Sequence, residues 1–158
     1  MRHDLMIDKI KGSIFGKEHT FYLKGVGEFK TRFKDNSKEV LWECKYSFPG
    51  SNYPTYLTIL GDRMGPFKDK VNLILPFIHQ KKKIDSLIDI KLRSSPLSNM
   101  KFEQLWKSCQ NRFRIVTIES FFEDKNLVEL WIRSSTDDTD LYLDFIHGTI
   151  RKFDISTP

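Results

Sequence analysis

The sequence has few cysteines and no long apolar run, and each shortage excludes a class of protein. Its two cysteines, Cys44 and Cys109, lie 65 positions apart, which is neither a zinc-knuckle spacing nor the dense framework of a small secreted domain. No stretch of about 18 apolar residues is available to span a membrane. Charged residues interrupt the N-terminal segment, so it does not read as a signal peptide. We therefore expect a cytoplasmic protein with reduced cysteines.

Recognisable catalytic motifs are missing as well. The four histidines are His3, His19, His79 and His147. They have no nucleophile elbow or comparable motif beside any serine, and the acidic run at 137–140 lacks the central glycine and terminal glutamate of a calcium loop. The glycine pairs at 25/27 and 61/65 lack the full phosphate-binding pattern. The sequence predicts no catalytic residue, no metal ligand and no cofactor, with an enzyme of unfamiliar type as an alternative.

The composition that remains is typical of a globular protein. The chain has 158 residues, of which 39% are hydrophobic and 30% charged, and 13 of its aromatic residues are phenylalanine. Domains cluster at roughly 100 to 150 residues, and aromatic side chains supply a large share of the apolar area available for burial. We predict a single domain over residues 1–158.

The first sixty residues have the pattern of short β-strands separated by turns. From Val40 to Phe48, apolar and mostly polar residues alternate, as in a strand with one buried face. Turn residues at 16–18, 25–27, 35–37 and 49–52 separate the runs. The predicted strands are 11–15, 20–24, 28–33, 39–48 and 55–60.

After Gly65 the apolar period changes from two to about 3.6, which predicts a helix with Pro66 in its first turn. Pro76 predicts a kink or an end near Leu75, because proline removes a helical hydrogen bond. The apolar residues from Leu87 to Leu92 suggest a short strand. A second helix is predicted over 102–109, where apolar residues recur at i, i+3, i+4 and i+7.

Four further apolar runs, joined by short loops, predict a C-terminal four-strand antiparallel meander. The runs are 114–122, 127–133, 141–146 and 149–155. The predicted fold class is α+β: a mostly antiparallel sheet, made of N-terminal strands and this meander, with two helices packed on it.

The order of these elements supports a resemblance. Short N-terminal strands, a mid-chain helix and a helix containing Met100–Trp106, followed by the runs 115–122, 128–132 and 148–155, resemble small bacterial proteins that often lie beside secreted-toxin genes and are taken to be immunity proteins. The resemblance implies a protein that neutralises a toxin by occlusion. It carries no short signature and implies no functional residue.

Charge is segregated along the chain. Between Arg63 and Arg93, eight basic and three acidic residues give +5, whereas between Glu119 and Asp144, eight acidic and two basic residues give −6. Such a division favours electrostatic steering of a charged partner. The predicted partner-binding residues are Glu119, Glu123, Asp124, Asp137, Asp138, Asp140 and Asp144. Charged strand ends that prevent aggregation explain the same residues equally well.

The basic residues support an alternative function. Lys81, Lys82 and Lys83 form the only concentrated basic run, and with Arg63 and Lys68 they are candidate contacts for an anion or a nucleic acid. Interleaved aromatic residues for base stacking are missing there, so a solvated lysine run is the simpler explanation. The favoured hypothesis is a protein that binds another protein. Nucleic-acid binding is the second hypothesis, and no membrane partner is expected.

Overall fold

The computed structural model describes residues 11, 15–34, 36–94, 113–121, 126–134 and 140–156. Within them the chain forms one β-sheet and two helices. The elements are β1 (Lys17–Leu23), β2 (Gly27–Phe33), β3 (Val40–Tyr46), β4 (Thr55–Asp62), β5 (Gly65–Pro66), α1 (Lys68–His79), α2 (Lys81–Ser94), β6 (Phe113–Ser120), β7 (Leu127–Ser134), β8 (Asp140–Ile146) and β9 (Thr149–Ser156). The sequence prediction for the helix 102–109 lies outside the described residues. The predicted strand 11–15 is wrong at its two described residues, because Lys11 and Phe15 are helical, and residues 12–14 lie outside the described part of the chain.

The sheet consists of two antiparallel meanders joined by one parallel pair. Its strand order is β1-β2-β3-β4-β6-β7-β8-β9, and the two-residue β5 pairs with the end of β4. Strands β4 and β6 run parallel, and the connection between them contains α1 and α2. The α+β class and the C-terminal meander are confirmed, and the single parallel pair of β4 and β6 makes the mostly antiparallel sheet a mixed one.

The predicted strand at 87–92 is wrong, because these residues belong to α2. Ile84 and Ile88 are buried at i and i+4, while Ile90 is 62% exposed on the opposite side of the helix. Lys81 and Asp85 form an i, i+4 ion pair of 2.7 Å in the first turns. The helical period therefore prevails over the local alternation of apolar residues.

The boundaries of α1 also differ from the prediction. Pro66 pairs with Gly61 in the β4–β5 hairpin, and the helix begins two residues later, at Lys68. At the other end, α1 does not stop near Leu75 but continues through Pro76 to His79. Pro76 and Asn72 both lie on the exposed side. Water can therefore solvate the Asn72 carbonyl that the proline leaves without a donor.

The core lies between the helices and one face of the sheet. Ile74 of α1 is fully buried with Ile118, Leu130 and other strand residues, and each such side chain stabilises the fold by about 1.5–3 kcal/mol. Phe77 of α1 meets Phe145 of β8 edge to face, with ring centroids 4.9 Å apart. No helix in the described part of the chain is long and apolar enough to cross a membrane.

Candidate functional site

The two faces of the sheet have different surroundings. In β7, Val128, Leu130 and Ile132 are buried, whereas the residues that alternate with them are only partly buried. Because side chains alternate across a strand, the buried set faces α1 and the other set lies on the opposite side. Neither described helix packs on that opposite side, which we call the open face.

Strand register places four carboxylates in one row across the open face. Glu43 of β3 lies opposite Thr58 of β4, and Thr58 lies opposite Glu119 of β6. Glu119 in turn pairs with Glu129 of β7, and Glu129 with Asp144 of β8. We call Glu43, Glu119, Glu129 and Asp144 the acidic row. It crosses five strands at about 4.8 Å per step, a span of about 19 Å.

One lysine stands at each end of the acidic row. Lys30 of β2 is the register partner of Glu43, and Lys152 of β9 is the register partner of Asp144. Both lysines are engaged elsewhere, because Lys30 contacts Glu28 at 3.3 Å and Lys152 contacts Asp154 at 2.7 Å. They therefore neutralise the row only in part.

The surroundings of the two central glutamates, Glu119 and Glu129, disfavour their charged forms. Partial burial is the main cause that raises the pKa of Glu119, and the charge of Glu43 adds to it, while a hydrogen bond from Thr117 opposes it. Partial burial also raises the pKa of Glu129, and the charges of Asp144 and Glu119 raise it further. Like charges directly opposite each other on neighbouring strands destabilise a sheet.

None of the four members of the acidic row forms an ion pair in the described part of the chain, although the charge of Lys152 opposes the rise in the pKa of Glu129. Other acidic side chains on the open face do form ion pairs. Arg32 contacts Glu18 at 2.9 Å, and Arg133 forms two hydrogen bonds of 2.8 and 2.9 Å to Asp140. The open face therefore carries the negatively charged acidic row, whereas arginines neutralise Glu18 and Asp140 on the same face.

A second row, of aromatic side chains, runs beside the first. Tyr56, Trp131 and Tyr142 each lie two residues along their strand from Thr58, Glu129 and Asp144 respectively. The rings of Trp131 and Tyr142 stack with centroids 6.1 Å apart. We call Tyr56, Trp131 and Tyr142 the aromatic row.

Two cationic side chains contact rings of the aromatic row, and both of its tyrosines are exposed. The Arg133 guanidinium lies 4.8 Å from the centre of the Trp131 ring, and the Lys45 ammonium lies 5.6 Å from that of Tyr56. Tyr56 and Tyr142 remain 42% and 43% exposed. The aromatic rings of Tyr56 and Tyr142 therefore reach solvent next to carboxylates that the two lysines neutralise only in part.

No protein-family model, curated protein or solved structure matches this chain. The resemblance to immunity proteins stays a hypothesis, and the function has to be argued from the site.

The structure brings two of the predicted partner-binding residues together. Glu119 and Asp144 lie in the acidic row, on either side of Glu129. Asp140 is 8% exposed, and the Arg133 hydrogen bonds are the main cause that lowers its pKa. Asp140 thus supports the face rather than offering a free charge. The remaining predictions, Glu123, Asp124, Asp137 and Asp138, lie outside the described residues.

The predicted basic contacts lie on other elements. Arg63 is in the turn between β4 and β5, with its guanidinium 5.7 Å from the centre of the Phe33 ring. Lys68 is the first residue of α1. Lys81, Lys82 and Lys83 open α2 in the helical layer, and Lys81 is already paired. Nucleic-acid binding through these residues stays a prediction.

The described histidines lie on three separate elements: His19 in β1, His79 at the end of α1 and His147 in the β8–β9 turn. His19 stacks on Phe33 with ring centroids 4.0 Å apart. It lines an open groove of about 520 Å³ with Asp62, whose carboxylate accepts a hydrogen bond from the Met64 amide. Among the described side chains, no three potential metal ligands converge.

Sequence reasoning missed Glu43, Glu129 and the whole aromatic row. The alternation along 127–133 was a usable signal, because it places Glu129 and Trp131 on the same side of β7. The alignment of Glu129 with Glu119 and Asp144 had no such signal, because it depends on the register between strands.

Proposed function

We propose that this protein binds another protein, and that a positively charged partner docks on the open face of the sheet. The observation that carries the proposal is the acidic row: four carboxylates aligned over about 19 Å without an ion pair in the described structure. A basic partner would neutralise the row and relieve the repulsion between its members.

The aromatic row supports the same function. Tyrosine, tryptophan and arginine are the residues that most often dominate the binding energy of protein interfaces, because they combine large contact area with hydrogen bonding. Tyr56 and Tyr142 are exposed, and Trp131 stacks with Tyr142 while Arg133 covers the Trp131 ring and donates hydrogen bonds to Asp140. The aromatic row is suited to anchor a partner that the acidic row attracts.

A toxin that degrades nucleic acid fits this chemistry, because such an enzyme must present a basic surface to its substrate. An inhibitor with an acidic face occupies that surface and associates rapidly through electrostatic steering. The layout resemblance supports the same role, so we propose an immunity protein that acts by occlusion.

The test is complex formation with the toxin encoded beside the gene of this protein. The purified proteins are mixed, and the dissociation constant and the residual toxin activity are measured for the wild type and for Glu129→Lys. Reversal of a charge at the centre of the row is expected to weaken binding by roughly tenfold to a hundredfold.

The matched control is Glu39→Lys, the same change at an exposed glutamate that lines the groove beside Glu18 and Arg32 on the same face, outside the row and without an ion pair in the described part of the chain. It is expected to alter binding less than about threefold. A complete absence of complex with the wild type, or equal losses in both variants, would overturn the proposal.

A further inference from the structure

We propose that the partner segment bound by the acidic row is a basic α-helix rather than an extended strand. This inference rests on the proposed function and specifies the partner. The first observation behind it is the spacing of the carboxylates in the acidic row. Neighbouring carboxylates from β6, β7 and β8 are about 4.8 Å apart, because each belongs to the next strand of the sheet.

A helix presents side chains on one face about every 5.4 Å, which is one turn. An extended strand presents them about every 6.6–6.8 Å, which is two residues. The helical repeat therefore differs from the carboxylate spacing by about 0.6 Å per step, and the strand repeat by about 2 Å. Over the two steps that join Glu119, Glu129 and Asp144, the mismatch reaches about 1.2 Å for a helix and about 4 Å for a strand, and a lysine or arginine side chain bridges the smaller of the two.

Backbone hydrogen bonding favours the same occupant. An extended segment binds a sheet strongly when it adds to an edge, where it pairs with free amides and carbonyls. The acidic row lies on β3, β6, β7 and β8, and each of these strands is paired on both sides. A strand laid over this face would leave its own backbone groups unpaired, whereas a helix satisfies its groups internally.

The aromatic row completes the description of the partner. It lies about 6.8 Å from the acidic row, two residues along each strand. A helix with its side chains is about 10–12 Å across, so one helix contacts both rows. Side chains next to its basic stripe, at about 100° around the axis, face Tyr56, Trp131 and Tyr142. The geometry thus assigns Lys or Arg to one stripe and apolar residues to the adjacent stripe.

Three synthetic peptides of about 14 residues, long enough to cover the row, test the inference on the full chain. The first is alanine-rich, with Lys at i, i+4, i+7 and i+11 and Leu one position after the first three of these. The second has the same composition, with the lysines distributed around the helix. The third has the same four lysines, placed at every second position, and Thr and Val at all other positions, which favours an extended conformation.

Affinities are measured by fluorescence anisotropy of labelled peptides at low salt. The first peptide is expected to bind at least about tenfold more tightly than the other two, and to gain helical circular dichroism on binding. Glu129→Gln should weaken the first peptide at least about threefold, while Glu39→Gln, at an exposed glutamate outside the row, should not.

Equal or tighter binding of the permuted or extended peptide would overturn the helical partner. So would tight binding of the first peptide that Glu129→Gln leaves unchanged. Neither result would affect the proposed function, which depends on the toxin complex and its loss in Glu129→Lys.

Discussion

The acidic row makes a prediction about stability that needs no partner. Glu129 lies directly opposite Glu119 on one side and Asp144 on the other. Replacing it with glutamine keeps the size and shape of the side chain and removes the cost of a partly buried charge, which is the main cause of its raised pKa, together with both repulsions. We therefore expect Glu129→Gln to raise the free energy of unfolding at neutral pH.

The magnitude follows from the two contacts. A directly opposed cross-strand pair contributes about 0.2–1 kcal/mol, and Lys152 offsets part of the repulsion on Glu129. The net gain from Glu129→Gln is therefore about 0.5–1 kcal/mol. For a chain of this size, such a gain raises Tm by at most about 2–4 °C.

The pH dependence has a definite sign. Because the pKa of Glu129 is raised, the folded state holds this proton more tightly than the unfolded state does. Wild-type stability therefore falls as the pH rises from the unfolded pKa to the folded pKa of Glu129, and the full penalty is present above the latter. Glu129→Gln carries no such penalty, so its advantage is complete at neutral pH and vanishes below the unfolded pKa.

Thermal unfolding followed by circular dichroism at pH 7 and in acid measures this difference, and 1 M salt should reduce it at pH 7 by screening. Asp144→Asn is the matched comparison. The Asp144→Asn protein loses one repulsion, from Glu129, and one attraction, to Lys152, so its Tm should stay close to that of the wild type. The reasoning would be refuted by a Glu129→Gln protein that melts below the wild type at pH 7, or by a gain of the same size in acid.

Three further substitutions test the Arg133–Asp140 contact on the open face and the conformation of the backbone. Asp140→Asn removes the charge from two hydrogen bonds with Arg133, and should cost about 1–3 kcal/mol at pH 7 in denaturant unfolding. Because the pKa of Asp140 is lowered, that cost should disappear as the pH falls through its folded pKa. Gly16→Ala and Gly25→Ala share a positive φ, but only at Gly16 would the new Cβ meet the Phe33 carbonyl oxygen. Gly25→Ala should cost about 1–3 kcal/mol, and Gly16→Ala measurably more.

Much of the sheet was predictable because its information is local. The runs that became β6 to β9 are joined by loops too short for anything but antiparallel neighbours. The parallel pairing of Tyr56 with Thr117 was not predictable, because it joins residues 61 positions apart through a helical crossover. For α2, the residues from Leu87 to Leu92 imitate strand alternation, and the deciding helical signal lies one turn earlier, at Ile84.

The candidate site was predictable in kind but not in arrangement. The excess of acidic residues between Glu119 and Asp144 is visible in the sequence and points to an acidic surface. Glu43 comes from the other meander, and it joins the row only through its alignment with Thr58. Such alignment is a property of pairing between strands, so composition cannot reveal it.

The most direct test of the central claim is hydroxyl-radical footprinting of side chains in the complex with the proposed toxin partner. If the partner covers the open face, oxidation of Tyr56, Trp131 and Tyr142 should fall several-fold on binding, since the interface excludes water around its anchors. Met64 in the β4–β5 turn is 85% exposed and serves as the internal control. Its oxidation should not change. Protection of Met64, with the three aromatic residues labelled as in the free protein, would contradict docking on the open face.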